Sequence, residues 1–389
     1  MLIRHMPLPA VVSLPRRVVC AAIGGLLLLL AACGGKPDDS AASGTSATEE
    51  KILNVYNWAD YIEPKVLEDF QKETGIKVRY DVFDSNEVLE TKLLTGDSGY
   101  DVVVPSAYFL ERQIKAGVFR TLDKTQLPHL QNQDPELQAV VAKHDPDNAH
   151  SVIYMWGTTG IGYDALKIRA IMPDAPVDSW NLILDPKIVA RFKDCGVSVL
   201  EDPTDMVATV LLWLGKDPNS ESAADLALAE ARLLAIRPYI RTITSSTYTD
   251  DLANGEICLT VGYSGDILQA RDRAAEAGRK ADIRYSIPRE GAILWFDTLA
   301  IPADARHPRN AHAFIDYLLR PEVAAANSNF IHYANANQAS TALLDAALRN
   351  DPGIYPTPEV KAHLRPNLSK SAEFTRELNR AWTRFTTGG

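Results

Sequence analysis

The sequence predicts an α/β protein with a mainly parallel sheet flanked by helices. Two observations carry this. Short apolar strands alternate with amphipathic helices between residues 52 and 104, and that order lays strands side by side and parallel, with helices on both faces. The 389 residues, 46% of them hydrophobic, are enough to bury more than one core.

The elements follow in order. Residues 52–56 form a short apolar strand. Residues 64–73 form a helix with Val66, Leu67 and Phe70 on one face and Gly75 as its stop. Ile76, Val78, Tyr80 and Val82 alternate with other residues, the period of a strand. Asp84-Ser85-Asn86-Glu87 reads as a capping box opening the next helix. Residues 100–104 form a buried strand ended by Pro105. Further strands are expected at 196–200, 257–261 and 293–301, and helices at 204–214, 222–235, 309–319 and 359–364.

Arg16 and Arg17 precede an apolar run over 18–32. It is shorter than the roughly 20 residues a membrane span needs and reads as a secretory signal. It ends in Leu30-Ala31-Ala32-Cys33-Gly34, which resembles the lipobox of bacterial lipoproteins. Residues 1–32 are therefore expected to be a lipoprotein signal peptide. Residues 33–50 are expected to be the lipidated Cys33 and a flexible tether, rich in Gly, Ser, Ala and Asp. Its span as a coil is about 20–25 Å. Export leaves Cys195 and Cys258 as a single pair in an oxidising compartment. A bridge between them closes a loop of about 64 residues and stabilises by about 4 kcal/mol. Two buried free thiols are the alternative.

The formal net charge is −10, and residues 1–32 hold three arginines and no acid, so the processed chain carries about −13. An acidic surface repels nucleic acid and tolerates a cationic ligand. Enzyme motifs are scarce. There is no G-x-x-x-x-G-K-[ST]. Gly157-Thr158-Thr159-Gly160-Ile161-Gly162 has the wrong glycine order for a dinucleotide fingerprint. Gly262-Tyr263-Ser264-Gly265 lacks the frame of a nucleophile elbow. The eight histidines are scattered and no H-E-x-x-H exists, so neither a metal nor another cofactor is expected.

In open parallel sheets ligands bind beyond the carboxyl ends of the strands. The segments there are Asn57-Trp58-Ala59-Asp60-Tyr61, Pro105-Ser106-Ala107-Tyr108-Phe109, Glu201-Asp202-Pro203-Thr204-Asp205, Gly262-Tyr263-Ser264-Gly265-Asp266 and Leu294-Trp295-Phe296-Asp297. Four of the five carry an Asp and four carry Trp or Tyr. That recurrence suits a flexible polyammonium. Each ammonium needs an anion once it leaves water. Each buried methylene contributes about 0.8 kcal/mol, and ring faces add roughly 0.5–2 kcal/mol of cation–π attraction. Taken singly, each position has a plainer reading. Asp202 can be a helix N-cap with Pro203 at N1 and Asp205 at N3. Trp58 and Trp295 can be core residues, and Asp266 a turn residue.

These segments resemble the periplasmic putrescine- and spermidine-binding proteins of bacterial polyamine ABC importers, over nearly the whole mature chain. The likeness extends through Tyr80-Asp81-Val82-Phe83-Asp84-Ser85-Asn86-Glu87, Asp251-Leu252-Ala253-Asn254-Gly255 and Tyr333-Ala334-Asn335-Ala336-Asn337. The resemblance implies a two-lobed periplasmic binding protein fold of type II with the ligand in the cleft between lobes. It implies lobe 1 at 51–155 plus 275–328, and lobe 2 at 156–274 plus 329–389. It implies ligand contacts at Trp58, Asp60, Tyr61, Ser106, Asp205, Tyr263, Asp266, Trp295, Asp297 and Tyr333, and a disulfide between Cys195 and Cys258. Tyr108, Asp202 and Trp295 look like the spermidine type, while the chain as a whole looks like the putrescine type. The expected function is capture of spermidine or putrescine, spermidine slightly favoured, by a monomer that delivers it to an inner-membrane ABC permease. The alternatives are a binding protein or sensor for another small cationic ligand and, with least support, a secreted hydrolase.

Overall fold

The computed structural model describes residues 49–388. The expected signal segment, Cys33 and the tether up to residue 48 lie outside the described residues. Among the described residues ten strands make one mixed sheet: β1 (Ile52–Trp58), β2 (Lys77–Phe83), β3 (Val102–Val103), β4 (Ser151–Asp164), β5 (Val197–Val199), β6 (Thr242–Ile243), β7 (Leu259–Tyr263), β8 (Ile283–Ser286), β9 (Ala292–Ala300) and β10 (Leu364–Pro366). The order is β2-β1-β3-β9-β4-β7-β5-β6, with β10 beside β9 and β8 beside β4. Both flanks are parallel, as expected: β1 with β2 and β3, and β5 with β6 and β7. The middle is not. The two longest strands, β4 and β9, pair antiparallel with each other.

β4 is buried along its whole length, yet its Gly and Thr content hides it in the sequence. Its glycines make room for neighbours. A Cβ on Gly157 would stand 2.6 Å from the Trp295 ring, and one on Gly160 would collide with Tyr285. β4 also links two hydrophobic cores. Val152 and Tyr154 pack in the first, with Leu53, Phe70 and Phe314. Ile161 and Tyr163 pack in the second, with Trp180, Phe192 and Tyr248. Ile283 belongs to the second core, and Ile331 and Tyr333 to the first, so core membership does not follow the expected boundaries residue for residue.

Most expected elements are present within a few residues. The capping box is displaced: Ser85, not Asp84, is the N-cap of the helix Asn86–Leu94 and accepts from the Val88 N–H at 3.3 Å. The expected helix at 359–364 shrinks to Pro358–Lys361, because the chain then extends to lay β10 along β9. The helix Ala372–Thr387 was not legible as an element, although Phe374, Leu378, Ala381 and Phe385 recur at helical spacing and pack in the second core. No helix of the described residues is long and apolar enough to cross a membrane.

Cys195 and Cys258 are joined, with Cα atoms 5.7 Å apart. The bond sits where β5 and β7 pair, since Val197 opposes Leu259 and the Cys258 N–H reaches Gly196 O at 3.0 Å. Replacing both cysteines by serine is expected to lower the unfolding free energy by about 2–5 kcal/mol. Urea unfolding with and without the bond measures this; a change under about 1 kcal/mol would contradict it.

Candidate functional site

All twelve residues expected at the site line one cavity beyond the carboxyl ends of the parallel strands. β1 delivers Trp58, Asp60 and Tyr61, and β3 leads to Ser106 and Tyr108. β5 leads to Asp202 and Asp205, β7 to Tyr263 and Asp266, and β9 carries Trp295 and Asp297. Tyr333 follows the helix Pro321–Ile331.

The carboxylates are held by hydroxyls and amides. Asp297 accepts from Ser106 Oγ at 2.6 Å and from the Tyr61 hydroxyl at 2.8 Å. Burial pushes its carboxyl up to about 6, against those stabilising hydrogen bonds. Asp266 accepts from the hydroxyls of Tyr248 and Tyr333, both at 2.5 Å, and burial raises its pKa too. Asp205 accepts from Thr159 Oγ1 at 2.6 Å and from the Asn367 amide. Burial and the neighbouring Asp202 push it to about 8. Asp202 combines both readings of it. One oxygen caps the helix Pro203–Trp213 by accepting from the Asp205 N–H at 2.9 Å, and the other accepts from the Tyr108 hydroxyl at 3.0 Å. Burial raises its pKa as well.

The rings form a connected wall. Tyr61 meets Tyr333 with centroids 5.2 Å apart, Tyr333 meets Trp295 at 5.4 Å, and Trp295 meets Tyr263 at 5.6 Å, all edge to face. A Cβ on Gly265 would lie 2.6 Å from the Tyr333 ring, so this glycine lets the ring lie against the helix Ser264–Glu276. Trp58 is fixed by its Nε1 donating to Val104 O at 2.9 Å.

Asp60 differs from the other carboxylates. It has a left-handed backbone, φ 53°, is exposed, and pairs with Arg273 at 2.8 Å. Arg273 pairs with Asp250 as well, at 2.6 Å. Sequence reasoning missed Arg273, Gln269, Asn86 and Glu87, all of which line the cavity. Asn86 is buried and positions two expected residues: its amide donates to Ser106 Oγ at 3.1 Å and to the Tyr108 hydroxyl at 3.3 Å. Glu87 stands at the exposed rim, where the surrounding protein and then Asp202 push its carboxyl up to about 7. The capping box was the available signal for both and was given a purely local meaning. In all, eight carboxylates and one guanidinium face the cavity, which makes it a trap for cations. No cluster of three or more metal-ligating side chains occurs among the described residues.

Residues 65–357 match the family described as bacterial extracellular solute-binding protein. This chain belongs to that family. The solute-binding protein is 53% identical to a putrescine-binding periplasmic protein of Escherichia coli (strain K12), over 89% of this chain and 94% of the relative. It is 49% identical to a putrescine-binding periplasmic protein of Pseudomonas aeruginosa (strain UCBPP-PA14), over 88% and 94%. A solved spermidine/putrescine ABC transporter protein from Listeria monocytogenes superimposes with a TM-score of 0.78 at 30% identity, covering 87% of this chain and 99% of that one.

Proposed function

We propose that this solute-binding protein captures a linear polyamine, spermidine or putrescine, and hands it to an inner-membrane ABC permease without transforming it. The observation that supports this best is a cavity with eight carboxylates behind a wall of four edge-packed rings. Ammonium groups take the anions, and the methylene stem takes the rings. Relatives named as periplasmic putrescine-binding proteins support both the ligand class and a periplasmic location. We further propose that Cys33 carries a lipid anchor, that the protein works as a monomer, and that the two cores are two lobes closing on the ligand. A ligand that touches both lobes only when they are closed favours closure.

Spermidine is slightly favoured. Asp297 and Asp266 supply two anionic stations, and Asp202 with Asp205 supplies a third beside Tyr108. A triamine uses all three, whereas a diamine leaves one unmatched. Trp295 sits between Tyr263 and Tyr333, so Trp295→Phe is expected to weaken spermidine more than putrescine. Calorimetry with both ligands checks this, and equal losses would refute it. Uptake of labelled polyamine by cells lacking the gene separates importer from sensor. The importer reading predicts lost uptake; unchanged uptake with intact binding would favour sensing.

A further inference from the structure

The helix Ser264–Glu276 does more than supply a carboxylate. Asp266, Gln269 and Arg273 recur three and four residues apart, so they share one face. That face extends about 10 Å along the axis. The neighbouring side of the helix packs in the second core through Ile267, Ala270 and Ala274. The Asp266–Arg273 face meets the first core. Tyr333 donates to Asp266 at 2.5 Å, Gln269 Nε2 donates to Ile331 O at 3.0 Å, and Arg273 pairs with Asp60 at 2.8 Å.

Gln269 occupies the middle of this seam and both ends of its amide are used. Besides donating to Ile331 O, it accepts from Arg273 Nη2 through Oε1 at 3.2 Å. A carbonyl only accepts and a guanidinium only donates, so the amide has one workable orientation. Its main-chain partner is the last residue of the helix Pro321–Ile331, one of the terminal carbonyls that a helix leaves without an internal donor. The Arg273–Asp60 pair is half in solvent and weak by itself. Gln269 is half-buried and holds that guanidinium toward Asp60 while fixing the first core's backbone two residues before Tyr333.

We propose that Gln269 is the positioning residue that couples ligand capture at Asp266 to closure of the cleft. The inference rests on the polyamine reading above. Encounter with the open cleft does not need this contact; retention in the closed cleft does.

Stopped-flow association and dissociation of spermidine, on ligand-stripped wild type, Gln269→Leu and Gln269→Glu, test it. Gln269→Leu is expected to raise the dissociation rate about tenfold and leave the association rate within about twofold. Gln269→Glu keeps an acceptor for Arg273 but, ionised, cannot donate to Ile331 O. Its dissociation rate is expected to lie nearer the leucine variant than wild type, with Tm of the ligand-free protein held. An unchanged dissociation rate in Gln269→Leu overturns the inference. So does a faster rate that merely follows a lowered Tm, which would mark Gln269 as structural. Wild type that binds no polyamine at all would instead bring down the functional reading, and this inference with it.

Discussion

Asp266→Asn is expected to weaken polyamine binding by a hundred- to a thousandfold or more. The side chain is half-buried in the cavity wall and held by two tyrosine hydroxyls, with no ion pair among the described residues. An ammonium placed there is left without its anion once the cleft excludes water. Removing one partner of a buried charge pair costs about 3–5 kcal/mol, and each 1.4 kcal/mol is about tenfold in affinity. Asparagine keeps the shape and can still accept from a hydroxyl, so the loss is electrostatic rather than steric. Asp60→Asn provides the contrast: that carboxylate is 70% exposed and already paired with Arg273, and exposed pairs contribute about 0–1 kcal/mol. Calorimetry on both variants decides. A loss under about 1 kcal/mol for Asp266→Asn would remove it from the binding machinery.

Affinity is expected to rise with pH between about 5.5 and 8, by tenfold or more, and binding near neutrality is expected to release protons. The cause is burial. Asp297 titrates at about 6 and Asp205 at about 8, against 3.8 for an ordinary aspartate. Below those values the groups are neutral and cannot pair with ammonium. A bound cation favours the ionised form and expels the proton. The sign for folding is opposite to that of a salt-bridged acid. A carboxyl raised in the folded state keeps a proton that the unfolded chain loses above about 3.8. The ligand-free protein therefore loses stability from these two groups as pH rises from about 4 to 8, and ligand restores it. Titration calorimetry in buffers of different ionisation enthalpy counts the protons. Flat affinity with no proton release would contradict the assignment.

The site was largely legible because of one geometric rule. The parallel strands of both flanks end at the cavity, so Trp58, Ser106, Asp202, Tyr263 and their neighbours could be collected from four distant segments, whereas Trp295 and Asp297 reach it from within the antiparallel β9. Asp202 shows that a local role does not exclude a functional one, since its two oxygens do both. What stayed hidden had physical reasons. β4 is too rich in Gly and Thr to read as a strand, because its glycines accommodate Trp295 and Tyr285, which come from β9 and β8. Arg273 lies two helical turns from Asp266, and only the folded chain brings it to Asp60. Asn86 acts through Ser106 and Tyr108, and the capping box that marked its position gave no hint of those distant partners.

The central claim is that this cavity holds a polyamine. The most direct measurement is titration calorimetry on residues 34–389, unfolded and refolded to strip carried-over ligand, with putrescine, spermidine and spermine in turn. The account predicts one-to-one binding, micromolar or tighter, with spermidine ahead of putrescine. No heat from any of the three, with a protein shown to be folded, would contradict it.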